Sequence, residues 1–526
     1  MRQSPRWSPV GLGLAPLTAF FVLGPLAYLS WMGAGQGGAE FLARATELSL
    51  ASVVVQVALL ATLTTAWAFV LGVPLAWLTV RSDLPWRQFF RWLAPLPLAV
   101  PPYIGAIVYQ ILLAPGGLVP DFLGLSALPI SFYSLWGAAA ILGLFTYPYL
   151  YLLVSGALER TNPSLEEAAR GAGLGPGAVL LRTTLPLLRP SLLAGGLMVF
   201  LYGWADFGVV SLLRVRTLTT VIYDYVQGTL DWSLPAGLSV VLSAITILVL
   251  LVQLRVLGRA GYTQIVSGAK PSRPIKLGAW RWPAFCYAVA TLTLSLFLPL
   301  GVLSWQASRL IGSAAGAAVL QQWPFFLNSL WTTVAGASLA LVIALTVGWL
   351  EGRRRAWGIF GLFQIGYAIP GTVLGLGMIG FAHAMLPWIY ATPLVVILAH
   401  LVLYLTPACQ AAKAALAQLH PSLEEASRGL GRGPLYTFWS VTLPLIRPGL
   451  LGGWILVFVL SMRELAATLI VRPPGFDTLP VRIWIYTMDV GPDPRAAALA
   501  LVLVATIAIP WLLLLSLRSR GISPSV

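Results

Sequence analysis

Hydrophobic residues in this chain fall in long unbroken runs, and polar residues gather between them. Runs near 20 residues, the length that crosses about 30 Å of hydrocarbon at about 1.5 Å per residue, lie at roughly 11–33, 50–79, 92–114, 134–158, 191–213, 234–257, 285–304, 327–350, 357–382, 388–412, 449–471 and 496–517. A membrane β-barrel would show short alternating segments instead. The pattern predicts an all-α polytopic membrane protein with about twelve transmembrane helices.

The polar stretches repeat. Ser164 to Gly175 (SLEEAARGAGLG) returns as Ser422 to Gly431 (SLEEASRGLG). Glu167 aligns with Glu425, Gly173 with Gly431, Leu185-Pro186 with Leu443-Pro444 and Arg189-Pro190 with Arg447-Pro448, each pair 258 residues apart, and Asp206 then meets Glu464. Upstream the match is looser, with Trp77-Leu78 resembling Trp349-Leu350 and Ala99-Val-Pro101 resembling Ala368-Ile-Pro370. The chain reads as a tandem repeat: a first six-helix repeat over 1–257, a Gly-, Pro- and basic-rich linker over 258–283, and a second repeat over 284–526. Six spans per half make the repeats parallel.

Composition agrees: 58% of residues are hydrophobic, 9% charged, and mean hydropathy is +0.85. The net charge of +15 raises the question of nucleic acid, and its distribution answers it. With the N-terminus inside, 24 of the 32 Lys and Arg but 7 of the 17 Asp and Glu fall on that side. The inside then carries about +17 and the outside about −2, the asymmetry of the positive-inside rule and not of a nucleic-acid groove. Both termini are expected in the cytoplasm. The first run follows basic residues as a secretory signal does, but it is long and eleven more follow, so a retained helix is expected. Cys286 and Cys409 sit in apolar runs and His383, His400 and His420 are scattered; they read as core thiols and satisfied imidazoles, not a metal site.

The repeated segments lie in the loops between the fourth and fifth spans of each half, 159–190 and 417–448. Ser164 or Ser422 can cap a helix whose positive end faces the two acids that follow. Small residues, Ala168-Ala169 and Ala426-Ser427, leave a face open to a partner, and Gly173 or Gly431 permits a turn into a second helical piece ending near Leu-Pro. Taken alone, each loop could be an ordinary solvated turn.

Two copies with one internal spacing resemble the signature of permease subunits of bacterial ABC importers: Glu167-Ala168-Ala169, Gly173 and Leu185-Pro186, and again Glu425-Ala426-Ser427, Gly431 and Leu443-Pro444, departing only at Ser427. The resemblance, which takes in the six-plus-six organisation, implies the type I permease fold, a multi-pass place in the bacterial inner membrane, and coupling helices contacting a separate ATPase through Glu166, Glu167, Glu424 and Glu425. It implies two copies of that ATPase, which bind the ATP and Mg, and a substrate-binding protein on the outer face. The chain has no Gly-Lys dipeptide, hence no phosphate-binding loop of the usual kind, and no cofactor of its own is expected.

Charges inside spans are costly and mark functional candidates. Asp206 and the pair Arg463-Glu464 stand out. Each acid comes 16 residues after its proline, Pro190 or Pro448, about 24 Å along a helix. The segments around them resemble fused permeases of the ferric iron importer group. Oxygen from Asp206, Glu464, Tyr202 and Tyr223 would suit a hard cation in transit, with Asp206 and Glu464 as transient metal contacts. The outer loops 214–233 and 472–494 are the expected docking sites for the binding protein. A permease for thiamine or another small organic cation is the nearest rival, and would show a Trp or Phe cage. An ion-coupled secondary transporter also has twelve helices in two halves but leaves the duplicated loop without a purpose. A membrane enzyme lacks an evident catalytic constellation.

Overall fold

The computed structural model describes residues 9–35, 37–129, 131–161, 163–229, 231–259, 274–313, 316, 319, 321–350, 366 and 369–519. Among these, helices dominate and no strand forms; the one β-bridge joins Ser82 to Ile275. In the first half the membrane-length helices are Pro9–Ala34, Leu50–Arg81, Pro102–Leu113 with its continuation Leu118–Phe122, Leu135–Arg160, Leu185–Ala205 and Ser233–Arg259. The second half supplies Arg281–Ser308, interrupted by one wider turn, then Trp323–Leu350, Gly371–Met385, Pro393–Ala417, Leu443–Met462 and Pro494–Ser519. Ten have the length and hydropathy to cross a bilayer, and two shorter apolar stretches, Phe20–Ala34 within the first helix and Gly371–Met385, complete the set among the described residues. Exposed tryptophans mark helix ends: Trp31, Trp136 and Trp323 at one face, Trp86, Trp280 and Trp282 at the other, where aromatic belts form.

Three expected spans are cut shorter. The run 92–114 contains Pro101-Pro102, and Pro102 takes the first helical position, which proline favours, so the membrane helix begins there after a 3-10 turn over Leu96–Ala99. The run 191–213 breaks at Asp206 and 449–471 breaks at Arg463-Glu464; short helices Gly208–Leu212 and Ala466–Val471 follow. Most of 357–370, the first part of the ninth expected span, lies outside the described residues.

Small residues set the closest approaches. A side chain at Gly72 would meet the Tyr147 backbone oxygen at 3.0 Å, and one at Gly203 the Ala61 Cα at 3.3 Å, so these helices pack backbone to backbone as small residues allow in membranes. The repeats also exchange their first helices. Phe20 packs edge-on against Phe381 with ring centres 5.0 Å apart. In return, Tyr287 donates its hydroxyl to the Val70 and Leu71 carbonyls, both at 2.7 Å, and the Tyr109 hydroxyl donates to the Leu294 carbonyl at 2.9 Å. Packing therefore crosses the sequence boundary between the halves. Of the linker, 260–273 lies outside the described residues; its end is tied down where Ile275 N–H donates to Arg81 O at 2.8 Å and Leu277 N–H to Asp83 Oδ1 at 2.9 Å.

Cys409 is buried, but Cys286 is exposed on its helix, which corrects its reading as a core thiol: the position falls on the helix face away from the protein. His400 is buried between the Ser461 and Thr468 hydroxyls, each 2.9 Å from a ring nitrogen, and the His383 ring lies against Tyr390.

Candidate functional site

The paired glutamates divide their work. The first loop helix is Pro163–Gly171, and within it Glu166 is 2% exposed while Glu167 is exposed. Adjacent residues on a helix sit about 100° apart, so only one can face inward. Glu166 accepts the Thr184 hydroxyl at 3.1 Å and lies 3.6 Å from Arg81 Nε and 3.4 Å from Arg170 Nη2. Arg81 in turn donates to the Leu158 and Thr161 carbonyls at 3.0 Å each, closing the end of the preceding span. Glu166 therefore bolts the loop to the membrane helices. Glu167 is exposed, with exposed Ala168 and half-buried Ala169 beside it.

The second loop repeats this arrangement. In Pro421–Gly429, Glu424 accepts the Thr442 hydroxyl at 2.9 Å, and Glu425 and Ala426 are exposed. Ser427, where this copy departs from the signature, is buried and its hydroxyl lies 2.8 Å from that of Thr437. The corresponding first-copy residues are Ala169 and Val179, so a polar pair stands where the first repeat has an apolar one. Gly173 and Gly431 hold φ of +85° and +76°, a region open to glycine and strained for other residues. The serine cap is not formed in the second copy: proline occupies the first helical position, as it favours, and His420 is the cap, accepting from Ser422 N–H at 3.4 Å.

The chain does not stop at Leu-Pro. Pro176–Val179 and Pro434–Thr437 run through one π-turn each, Leu180–Thr184 and Phe438–Thr442, directly into the next membrane helix. Proline lacks the N–H that an α-turn needs and its ring collides with the carbonyl four residues back; a wider turn relieves both. Thr293–Phe297 before Leu298-Pro299 uses the same solution. At Leu185-Pro186 and Leu443-Pro444 each loop thus continues without a break into its membrane helix.

Asp206 and Glu464 sit beyond the last turn of their helices, not along them, which corrects their expected placement. Asp206 is extended (φ −63°, ψ 140°), and its Oδ2 accepts Val209 N–H at 2.9 Å and Val210 N–H at 3.2 Å. Glu464 Oε1 accepts Ala467 N–H at 2.9 Å, and Oε2 accepts the Tyr404 hydroxyl at 2.7 Å. Each carboxylate caps the short helix that follows, accepting from the orphan N–H groups of a break made inside the membrane. The Arg463 guanidinium reaches into the other repeat, donating to the Tyr149 hydroxyl and to the Leu98 carbonyl at 3.4 Å, with its Cζ 5.9 Å from the centres of both the Tyr149 and Tyr202 rings. Tyr202 is within electrostatic reach of Arg463, Asp206 and Glu464, so these four are brought together. Tyr223 packs instead against Phe207 and Trp484, tilted to the first and edge-on to the second, ring centres 4.9 and 5.7 Å away. Among the described residues no three His, Cys, Asp or Glu side chains converge.

Sequence reasoning missed Arg81, Thr184, Thr442, Tyr149 and Tyr404. The two threonines carried a signal, since they too are 258 residues apart. Tyr149 carried none, because its partner lies in the other repeat.

The comparisons agree with this organisation. The family described as "Binding-protein-dependent transport system inner membrane component" matches residues 68–260 and again 336–520. The Fe(3+)-transport system permease protein FbpB 2 of Haemophilus influenzae is 29% identical over 487 residues, 90% of this chain and 92% of that protein. The ferric transport system permease protein FbpB of Actinobacillus pleuropneumoniae is 27% identical over 71% of this chain and 57% of its own. The putative 2-aminoethylphosphonate transport system permease protein PhnV of Salmonella typhimurium is 33% identical over 35% of this chain and 79% of its own.

Proposed function

Because this chain belongs to the family of binding-protein-dependent transport system inner membrane components, we propose that it is a fused permease whose two loop helices couple two copies of a separate ATPase to a passage between its repeats. The loops and both termini lie in the cytoplasm, and the opposite face receives a substrate-binding protein through the segments 214–233 and 472–494. The observation that carries this reading is the division of the paired glutamates: in both repeats the first acid is engaged by a threonine of its own chain and the second is presented outward. A rigid loop helix with one exposed acid can take up the movement of an ATPase pair and pass it through the π-turn to the membrane helix that ends at Asp206 or Arg463.

The cargo we infer is ferric iron, on the strength of the two ferric transport relatives. Asp206 Oδ1, which takes no part in the capping bonds, and Tyr202 are assigned to transient contact with it; Glu464 shapes the passage through its cap and Tyr404. Phe207, Tyr223 and Trp484 pack against one another, with ring centres 4.9 to 6.0 Å apart. Purifying the chain with its ATPase and adding binding protein loaded with ferric iron or with thiamine tests the reading. Iron-loaded protein is expected to stimulate ATP hydrolysis; stimulation by the thiamine-loaded protein alone would overturn the cargo, and hydrolysis indifferent to any loaded binding protein would overturn the importer.

A further inference from the structure

Among the described residues, one cation in the passage, Arg463, forms no ion pair. Both oxygens of Glu464 and the Oδ2 of Asp206, the carboxylates at the corresponding repeat positions, are taken by backbone donors and Tyr404. Among the described residues, the bonds of Arg463 go to a phenol and a carbonyl and to no carboxylate. The repeat places Ala205 opposite Arg463, so the charge is single. Tyr149 lies about 21 Å from one end of Leu135–Arg160 and about 16 Å from the other at 1.5 Å per residue, which puts the guanidinium near mid-membrane. Arg463, Tyr149 and Tyr202 are partly exposed there, and a buried neighbour, Tyr103, has a hydroxyl without a hydrogen-bond partner, within electrostatic reach of Tyr202, Glu464 and Arg463.

A bare trivalent cation would be repelled by this guanidinium. An oxyanion would be attracted: arginine matches it with paired donors, phenols add more, and the unsatisfied Tyr103 hydroxyl would gain a partner. We propose that Arg463, Tyr149, Tyr202 and Tyr103 form a mid-membrane oxyanion subsite, and that the cargo crosses as an oxygen-ligated complex carrying an oxyanion and not as a naked cation. The metal part of this statement rests on the iron reading; the oxyanion part does not.

Two measurements separate the two parts. Radiolabelled inorganic phosphate is titrated onto the full chain in nanodiscs, and radiolabelled ferric iron uptake is followed in vesicles holding the chain, its ATPase and its binding protein. Phosphate binding is expected in the wild type, roughly ten-fold or more weaker in Arg463→Met and weakened less in Arg463→Lys; Tyr103→Phe, which keeps the ring, should weaken it as well. Iron uptake by Arg463→Met should fall, whereas a bare-cation passage requires it to hold or rise once the repelling charge is gone. Absence of phosphate binding in the wild type, equal binding by Arg463→Met and Tyr103→Phe, or iron uptake undiminished in Arg463→Met would overturn the subsite. If the wild type takes up radiolabelled phosphate and no iron, the iron reading fails while the subsite stands as one for a free anion.

Discussion

Glu166 and Glu167 are neighbours in sequence with opposite fates: the first is enclosed by Thr184, Arg81 and Arg170, and the second is exposed. Removing the enclosed acid should damage the protein itself. Glu166→Ala leaves the buried Arg81 with carbonyls alone, at a cost on the order of 3 kcal/mol, and a lowered melting temperature of the purified chain would show it. Glu424→Ala should cost less, since Glu424 keeps 21% side-chain exposure and its contact to Arg428 is a longer 4.0 Å.

The capping roles of Asp206 and Glu464 separate stability from charge. Asp206→Ala removes a cap worth about 0.5–2 kcal/mol, while Asp206→Asn can still accept from Val209 and Val210. The asparagine variant is expected to melt like the wild type and to transport more slowly; if it transports at the wild-type rate, the Asp206 charge has no part in the passage.

The π-turns set the rotation between each loop helix and its membrane helix. Pro186→Ala with Pro444→Ala lets the turns relax to α, rotating one helix against the other by about 100° for the residue gained. The variant should fold, bind its ATPase and hydrolyse ATP with little uptake. Tightly coupled uptake in this variant would show that the turn is only an accommodation of proline.

Exchange of first helices predicts that the halves hold together without their covalent link. Fragments separated by a cut within 260–273 and expressed together should co-purify, because Phe20 and Tyr287 each grip the opposite repeat. Fragments that elute apart would contradict the exchange.

Much of this was legible from the sequence, and the failures share a cause. Spans, repeat and loops are written in hydropathy and in a fixed offset, both local signals. The breaks at Asp206 and Arg463 escaped because apolar residues continue through Phe207–Leu213 and Leu465–Val471, and a side-chain cap closes the break where hydropathy sees no change. The division of Glu166 from Glu167 needed helix phase and a partner 18 residues away. Tyr149 and the exchanged helices answer to residues in the other repeat, which no local pattern records.

The central claim is that the outward acids transmit work from a separate ATPase, and uptake by Glu167→Ala with Glu425→Ala measures it. Both residues are exposed, so the melting temperature should stay near that of the wild type, while loss of two charge-assisted contacts of about 1.5–3 kcal/mol each should cut uptake by roughly ten-fold or more. Wild-type uptake in that double variant, with the ATPase bound as before, would contradict the account.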